Sequence, residues 1–473
     1  MTTERKSLAL TDAKGLGGMI AQEGFDYQLW DGLARLPAWL VNPAFEQMIF
    51  EGLEDLEARF FAPQAPRCWM LERYQAKSGR LAPMDAAEVF RSFLAFEEAF
   101  PQVTRVHTLV TPRLPTKLAW LGRDVARVRR ARPFYAPFVD VASRSDAKLT
   151  ADLVDTFGEQ LGRFVADAVE VSERNLPDRD SALQAFGVAL GRAFPALDVS
   201  PRRVEQAFEL LSGLARRTIG VPLARAELIH AIEAGLGQTL PCESAFRLHV
   251  RSDRGEQDET ALEIDVSDFS GGAARFPSPD AWAQALSAPL VRTARWLRSR
   301  DVSRVALSGS YRLSTAMVLG WSLRSANGFE LEIPTREGPW LTDDRPRADR
   351  SWPQWLVTQP SALVDDQLVV GIGVVRDPHA SLSTTAGVPA EHALGLHLPE
   401  PLTSGKAAQS SISFVKRVVD EAVTRLQPRT IKLFFAGPAA FAVALGHRWN
   451  AMPPTQLHEF LEVERRYVRT AMI

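Results

Sequence analysis

Two stretches of this chain are spelled on one plan, and that repetition constrains the fold more than any other feature. Val305-Ala-Leu-Ser-Gly-Ser-Tyr-Arg-Leu-Ser-Thr-Ala-Met-Val-Leu-Gly320 is matched without a gap by Ile431-Lys-Leu-Phe-Phe-Ala-Gly-Pro-Ala-Ala-Phe-Ala-Val-Ala-Leu-Gly446. Val305 corresponds to Ile431, Leu307 to Leu433, Ala316 to Ala442, Leu319 to Leu445 and Gly320 to Gly446, each 126 positions on (305 to 431, 320 to 446). Each copy reads as a short β-rich run, a break and a small-residue helix. Pro438 suits a helix's first turn, where its missing N–H would have no partner anyway. The alanines of the second copy would let its helix lie close on a sheet.

The flanks repeat as well. A helical stripe at Trp282, Leu286, Leu290 and Leu297 precedes the first copy, and one at Ile412, Val415, Val419, Ala422 and Leu426 precedes the second. Strand-like Phe329–Ile333 follows the first, and Thr455–Phe460 follows the second. Phe246 and Ile372, in the strand-like Phe246–Val250 and Leu368–Val375, carry the same offset and extend the register. A duplicated α/β unit is expected, with a pseudo-two-fold axis and paired crevices at the strand C-termini, where open α/β sheets take ligands. A ligand with internal near-symmetry, such as a cyclic oligonucleotide, would match that groove. A Rossmann-like pair that binds nothing would show the same pattern.

The Phe-Phe-Ala-Gly-Pro-Ala…Ala-Leu-Gly-His-Arg-Trp-Asn-Ala-Met-Pro run makes the likeness specific. Over about the last half of the chain the paired units resemble a SAVED domain, the cyclic-oligonucleotide sensor of bacterial anti-phage signalling systems (CBASS). The first unit departs from the pattern, with Ser-Gly-Ser-Tyr-Arg in place of Phe-Ala-Gly-Pro. Candidate ligand contacts are polar or stacking residues in loops after strands. They are Ser310, Tyr311, Arg312 and Ser314 in the first unit, then Trp340, Lys406, Gly437 and Pro438. Trp340 could stack on a base, which is worth about 1–3 kcal/mol. Lys406 could contact a phosphate, and Gly437-Pro438 would allow close backbone approach. Loop serines also cap helices, and a loop tryptophan also fills cores.

The amino-terminal third carries a second pattern. Gly17-Gly18…Gly24-Phe-Asp-Tyr-Gln28 enters a helix continued by Leu29, Leu33 and Leu36. No Gly-Lys-Ser/Thr follows, so these glycines form no phosphate loop. Met48–Asp55 reads as an extended segment broken at Gly52, and Leu71–Lys77 as a strand on which Gln75 and Lys77 share a face. A carboxylate near one strand's end with Gln/Glu-x-Lys on the next is the layout of PD-(D/E)xK nucleases. Asp55 and the Gln75 oxygen are hard donors suited to Mg²⁺ or Mn²⁺, with Glu51 as a further ligand or an outer acceptor. Lys77 could orient water or steady charge on phosphorus. The run Gly-Phe-x-Tyr-Gln, Phe-Glu-x-x-Glu-Asp, Gln-x-Lys-Ser resembles the restriction-endonuclease-like module fused to SAVED sensors in CD-NTase-associated nucleases. Gln75 in place of glutamate leaves one charge fewer, so weak metal affinity is expected.

Arg123, Arg127 and Arg130 lie four and three apart on a helix and could contact DNA phosphates; a solvated helix with no partner reads equally well. Residues 151–240 read as a helical extension, with turn and cap signals at Asn175–Asp180 and Asp198–Arg202. The expected domains are therefore a nuclease core over 1–150, that extension, and a sensor over 241–473 with units at about 241–345 and 365–473. Net charge is −2, so any nucleic-acid surface must be a local patch. Cys68 and Cys242 have no metal spacing and read as buried thiols, and His392 and His397 have no companion ligand. Leu433–Gly446 is too short and too broken for a membrane span, and the start of the chain lacks a signal-peptide core, so a cytoplasmic protein is expected.

Together these features predict an α/β protein: a restriction-endonuclease-like domain, then a SAVED domain of two fused Rossmann-like (CARF-like) units. The function implied is that of an anti-phage effector. It would cut double-stranded DNA, with a metal, once a cyclic di- or trinucleotide binds and drives self-association, as the family resemblance implies. A gated RNase and a catalytically dead ligand-binding scaffold are the alternatives.

Overall fold

The computed structural model describes residues 13–79, 81–135, 139–241, 244–251, 260–267, 278–343, 353–461 and 464–473. The chain divides into two compact units, Met1–Cys242 and Glu243–Ile473.

The first unit is built on a six-stranded sheet. Helix α1 (Ala13–Val41) leads into β1 (Phe45–Phe50), β2 (Leu56–Phe61) and β3 (Trp69–Ala76), an antiparallel meander. Helix α2 (Pro83–Ala99) then crosses over to β4 (Thr104–Thr111), which pairs parallel to β3. Ala86, Val89, Phe90 and Phe93 recur along α2 at three- and four-residue spacing and are all buried. They form a core with Leu109 of β4. Each such phenylalanine is worth about 1.5–3 kcal/mol of burial. Next come α3 (Ala119–Tyr135), α4 (Val139–Phe157) and α5 (Glu159–Ala168), followed by β5 (Val169–Glu173). Helices α6 (Arg179–Ala193) and α7 (Pro201–Arg217), the short β6 (Leu223–Ala224) and α8 (Arg225–Leu236) complete the unit.

The stretch expected to be a helical extension is thus only partly one. β5 pairs parallel to β4 and β6 pairs with β1, so residues past 150 supply both edges of the sheet, in the order β5-β4-β3-β2-β1-β6.

The second unit holds two sheets. The first contains β7 (Phe246–Arg251) and β8 (Leu262–Asp265). A helix follows, from α9 (Pro279–Trp282) through a π turn into α10 (Ala288–Arg298). Then come β9 (Arg304–Ser310), α11 (Leu313–Ser322), β10 (Glu330–Ile333) and β11 (Trp340–Leu341). The second sheet takes β12 (Leu356–Thr358), β13 (Gln367–Val374), the short α12 (Leu382–Thr385), β14 (Ala393–Leu398) and α13 (Gly405–Leu426). It finishes with β15 (Thr430–Ala436), α14 (Ala439–Arg448), β16 (Thr455–Leu461) and β17 (Arg466–Met472). Strand orders are β11-β10-β9-β7-β8 and β12-β14-β13-β15-β16-β17.

The sequence repeat is a structural one at its centre. β9 and β15 begin and end at corresponding residues, as do α11 and α14. The two helices pack on each other, and their closest approach is reciprocal. A Cβ on Gly320 would stand 1.9 Å from the Val443 carbonyl oxygen, and one on Gly446 would stand 2.3 Å from that of Met317. Val443 and Met317 are themselves equivalent residues, so a local two-fold passes between the helices. The small residues therefore serve helix-on-helix contact more than helix-on-sheet contact. One extension of the register is corrected. Phe246 lies opposite Val305, and Leu368 opposite Ile431, so Phe246 corresponds to Leu368 and not to Ile372. Among the described residues, no helix is long and apolar enough to cross a membrane. Cys68 is half-buried, not fully buried as expected, and Cys242 lies outside the described residues.

Candidate active site and sensor pocket

In the first unit the tight connection between β1 and β2 brings Asp55 to the end of β3. Glu51 opens that turn in the left-handed region (φ 54°), and its N–H donates to the Asp55 carbonyl at 2.9 Å. Such a backbone costs a non-glycine residue on the order of 1 kcal/mol. Gly52 follows because a Cβ there would meet the Glu57 carboxylate at 2.7 Å. Asp55 Oδ2 accepts from the Gln75 amide and, at 2.7 Å, from the Ala76 N–H. Lys77 continues past β3, its N–H donating to the Val110 carbonyl at 2.8 Å. Gln75 and Lys77 line a cleft of about 600 Å³ with Gly24, Ser78, Asp85 and Glu88. The structure therefore brings Asp55, Gln75 and Lys77 together, with exposed Glu51 at the head of the same turn.

Burial raises the Asp55 carboxyl to about 6; Glu51 adds to the rise, while the Ala76 N–H, Lys77 and Gln28 oppose it. A raised carboxyl favours the fold when protonated, fully so below the ordinary value near 4, and the benefit is lost as pH rises through 6. Asp55→Asn should therefore unfold at a higher temperature than the wild type at pH 7.5, by the equivalent of about 1 kcal/mol once solvent screening is allowed for. The difference should vanish near pH 4. Thermal melts across that range check it.

Sequence reasoning missed the support beneath the turn. Arg73 is fully buried, donating from Nη2 to Glu54 and from Nε to Glu57, each at 3.0 Å, with its guanidinium 3.4 Å from the Phe96 ring centre. The Glu57 carboxylate in turn accepts the Leu53 N–H at 3.3 Å. Burial lifts Glu54 to about 7 against the pull of Arg73. The available signal was spacing: Arg73 shares a strand face with Gln75 and pairs in register with Glu57.

The donor set fits a hard divalent cation. Among the described residues, no three His, Cys, Asp or Glu side chains converge as a metal site. Glu51, Asp55 and Gln75 could supply the one or two carboxylates with which Mg²⁺ is content, since it keeps much of its water.

On α3, Arg123 and Arg127 are exposed, opposite buried Leu121 and Val125. The Arg123 guanidinium lies on Asp124 at 2.7 Å. The Arg130 side chain lies outside the described residues.

In the second unit the proposed ligand contacts part company. Exposed Ser310 ends β9, and half-buried Tyr311 and Arg312 lead into α11. Burial pushes the Tyr311 phenol up to about 12. Pro438 is exposed at the equivalent start of α14, and Lys406 is exposed in the first turn of α13. A Cβ on Gly437 would come within 3.2 Å of the Val374 side chain, so its close approach is to protein. Two expectations need correction. Ser314 is 3% exposed, its hydroxyl 2.7 Å from that of Thr470 and its N–H donating to Glu459 at 3.0 Å. Trp340 is 7% exposed and packs against Gly405 at the start of α13. Neither presents a surface to a ligand here. Glu459 caps the start of α11, accepting the Ser314 N–H. His392 Nδ1 lies 3.2 Å from the Ser361 hydroxyl.

The duplicated fold has known counterparts. Residues 290–473 match the family model of SAVED, the "SMODS-associated and fused to various effectors sensor domain". Along its whole length the chain is homologous to CD-NTase-associated protein 4. It is 24% identical to that protein from Moraxella osloensis, over 98% of this chain and 99% of the relative. The corresponding protein of an Acinetobacter species is 23% identical over the same shares. Among solved structures, the Acinetobacter baumannii Cap4 SAVED/CARF-domain receptor with the cyclic trinucleotide 2′3′3′-cAAA superposes with a TM-score of 0.72 at 20% identity, covering 95% of this chain and 98% of that one. The Moraxella osloensis Cap4 receptor gives 0.70 at 21% identity, covering 96% and 100%.

Proposed function

We propose that this chain is a CBASS effector: a cyclic-oligonucleotide-gated, metal-dependent endonuclease acting on double-stranded DNA. The observation that supports the nuclease half is the hydrogen bond of Asp55 to Gln75, which lines one cleft with Lys77. The sensor half is supported by the SAVED domain and by the bound cyclic trinucleotide in a receptor of the same fold.

Each residue then has a defined task. Asp55, Gln75 and Glu51 hold Mg²⁺ or Mn²⁺, which when bound polarises the scissile phosphate and acidifies a water. Lys77, at the cleft beside Asp55, steadies the negative charge that gathers on phosphorus and orients the attacking water. Arg123 and Arg127 hold the backbone of the duplex without reading its sequence. At the other end of the chain, Ser310, Tyr311, Arg312, Lys406 and the Gly437-Pro438 turn meet a cyclic di- or trinucleotide. The ligand shifts the protein toward an associated, cutting state only by binding that state more tightly.

The test pairs two measurements on one sample. A thermal-shift series with cyclic di- and trinucleotides should show one class raising the melting temperature, because ligand at about 100 times its dissociation constant adds about 2.7 kcal/mol. Linear duplex DNA incubated with Mg²⁺ should stay whole until that same ligand is added. Equal cutting with and without ligand would falsify the gating, and cutting of RNA alone would reassign the substrate.

A further inference from the structure

The connection between α7 and β6, Arg216-Arg-Thr-Ile-Gly-Val-Pro222, takes no part in the chemistry above, yet it runs along the rim of the candidate active site. At one end the Arg216 guanidinium meets Asp26 at 2.5 Å and lies 5.8 Å from the centre of the Phe25 ring. Those two residues directly follow Gly24, which lines the cleft. At the other end the Gly220 N–H donates to the Phe50 carbonyl at 2.9 Å, beside Glu51 at the head of the turn that carries Asp55. The loop therefore joins α1 to the β1–β2 turn, the two elements that border the site.

Its backbone is pinned. The Val221 N–H donates to the Thr218 carbonyl at 2.9 Å, closing a four-residue turn with Gly220 in third place at φ 72°. A positive φ at that place asks for glycine. The turn holds apolar side chains outward: Ile219 is 49% exposed and Val221 55%, with Arg217 and Pro222 exposed beside them. On the adjoining β1–β2 turn Leu53 is 73% exposed, although its N–H is bonded to the Glu57 carboxylate. One exposed aliphatic residue needs no explanation; several on two fixed turns beside a cleft mark a contact surface.

The company this patch keeps indicates what covers it. A stable interface between proteins covers about 800 Å² a side and is depleted of charge at its core. Here two arginines stand next to the aliphatic side chains. A duplex offers the matching blend: phosphates for a guanidinium, and minor-groove base steps between which aliphatic side chains wedge.

We infer that the α7–β6 loop is a docking rim for duplex DNA, with Arg217 on a phosphate and Ile219, Val221 and Leu53 wedged into the minor groove. This rests on the nuclease reading above. Arg216, held by Asp26, anchors the loop on α1. Wedging unstacks a step, which is easiest at flexible pyrimidine–purine steps, so the duplex is seated by its deformability without any base being read.

The experiment uses the full-length chain in chelator, so that docking is read apart from cutting. The probe is a short duplex with 2-aminopurine at a central TA step, a base analogue that brightens when unstacked. A terminal dye reads affinity by anisotropy across a salt series. Wild type should bind at low salt and brighten the probe. Ile219→Ser combined with Val221→Ser should keep the salt slope, lose the brightening and bind at least about tenfold more weakly, because two aliphatic side chains leave the contact. Arg217→Ala should keep the brightening at saturation and lower the slope of log affinity against log salt by about 1. Both variants should melt with wild type, since every changed side chain is exposed. Unchanged affinity and brightening in the double variant overturns the inference, as does wild type that leaves the probe unbound or dark; cutting in Mg²⁺ judges the nuclease reading separately. A concentration-dependent dimer lost in the double variant, with duplex binding intact, assigns the patch to a second copy of the chain and overturns the inference too.

Discussion

Gly320→Val is expected to disable the sensor outright. The added Cβ would have to occupy space 1.9 Å from a backbone oxygen of the partner helix, and backbone, unlike a long side chain, has nowhere to swing. Overpacking of a dense interior costs about 1–3 kcal/mol, and more where only main chain can yield. We expect a loss of about 3 kcal/mol or more in chemical denaturation of the sensor unit, together with loss of ligand-induced stabilisation. Gly446→Val should do the same through Met317. The reciprocity makes a sharper expectation. Once one Cβ has driven the helices apart, the other costs less, so Gly320→Ala and Gly446→Ala combined should fall short of the sum by about 1 kcal/mol. Full additivity would mean that the two glycines do not share one contact.

Lys77→Ala is expected to abolish cleavage while leaving the sensor untouched. Removing a group that steadies charge in the transition state typically costs about 10²–10³-fold in rate. Lys77 belongs to the first unit, and the SAVED match begins at residue 290, so ligand-induced thermal stabilisation should match wild type. Because Lys77 also lowers the Asp55 carboxyl, its loss should push that group higher still, adding to the fall in rate below neutral pH. DNA cleavage by Lys77→Ala within tenfold of wild type at saturating ligand would remove this residue from the chemistry.

The duplication was legible for a physical reason. Gly320 and Gly446 are positions where the copies lean on each other, so both copies need the same small residue there. Away from the joint the constraint relaxes. The strands before it differ by a four-residue slip (368 in place of 372), which a single offset could not show. Local chemistry was equally readable: Asp178 and Ser200 sit at the N-caps of α6 and α7, where turn residues placed helix starts. β5 was not, because Val169 and Val171 stand directly after the α5 stripe, and its partner strand is more than fifty residues away. The meeting of Asp55, Gln75 and Lys77 was legible, whereas that of buried Arg73 with Glu54 was not. The role of Arg73 depends on which neighbours the fold delivers. Burial decided Ser314 and Trp340 for a similar reason, since a polar loop residue and a core residue can be spelled alike.

The bare meeting of α11 and α14 has a mechanical result. Side chains between two rods act as padding, able to change rotamer and absorb a small displacement. Here the rods touch main chain to main chain, and the padding is missing. A tilt forced on either one by a guest at its leading end would be handed to its twin almost undiminished, so the paired copies respond as one stiff body.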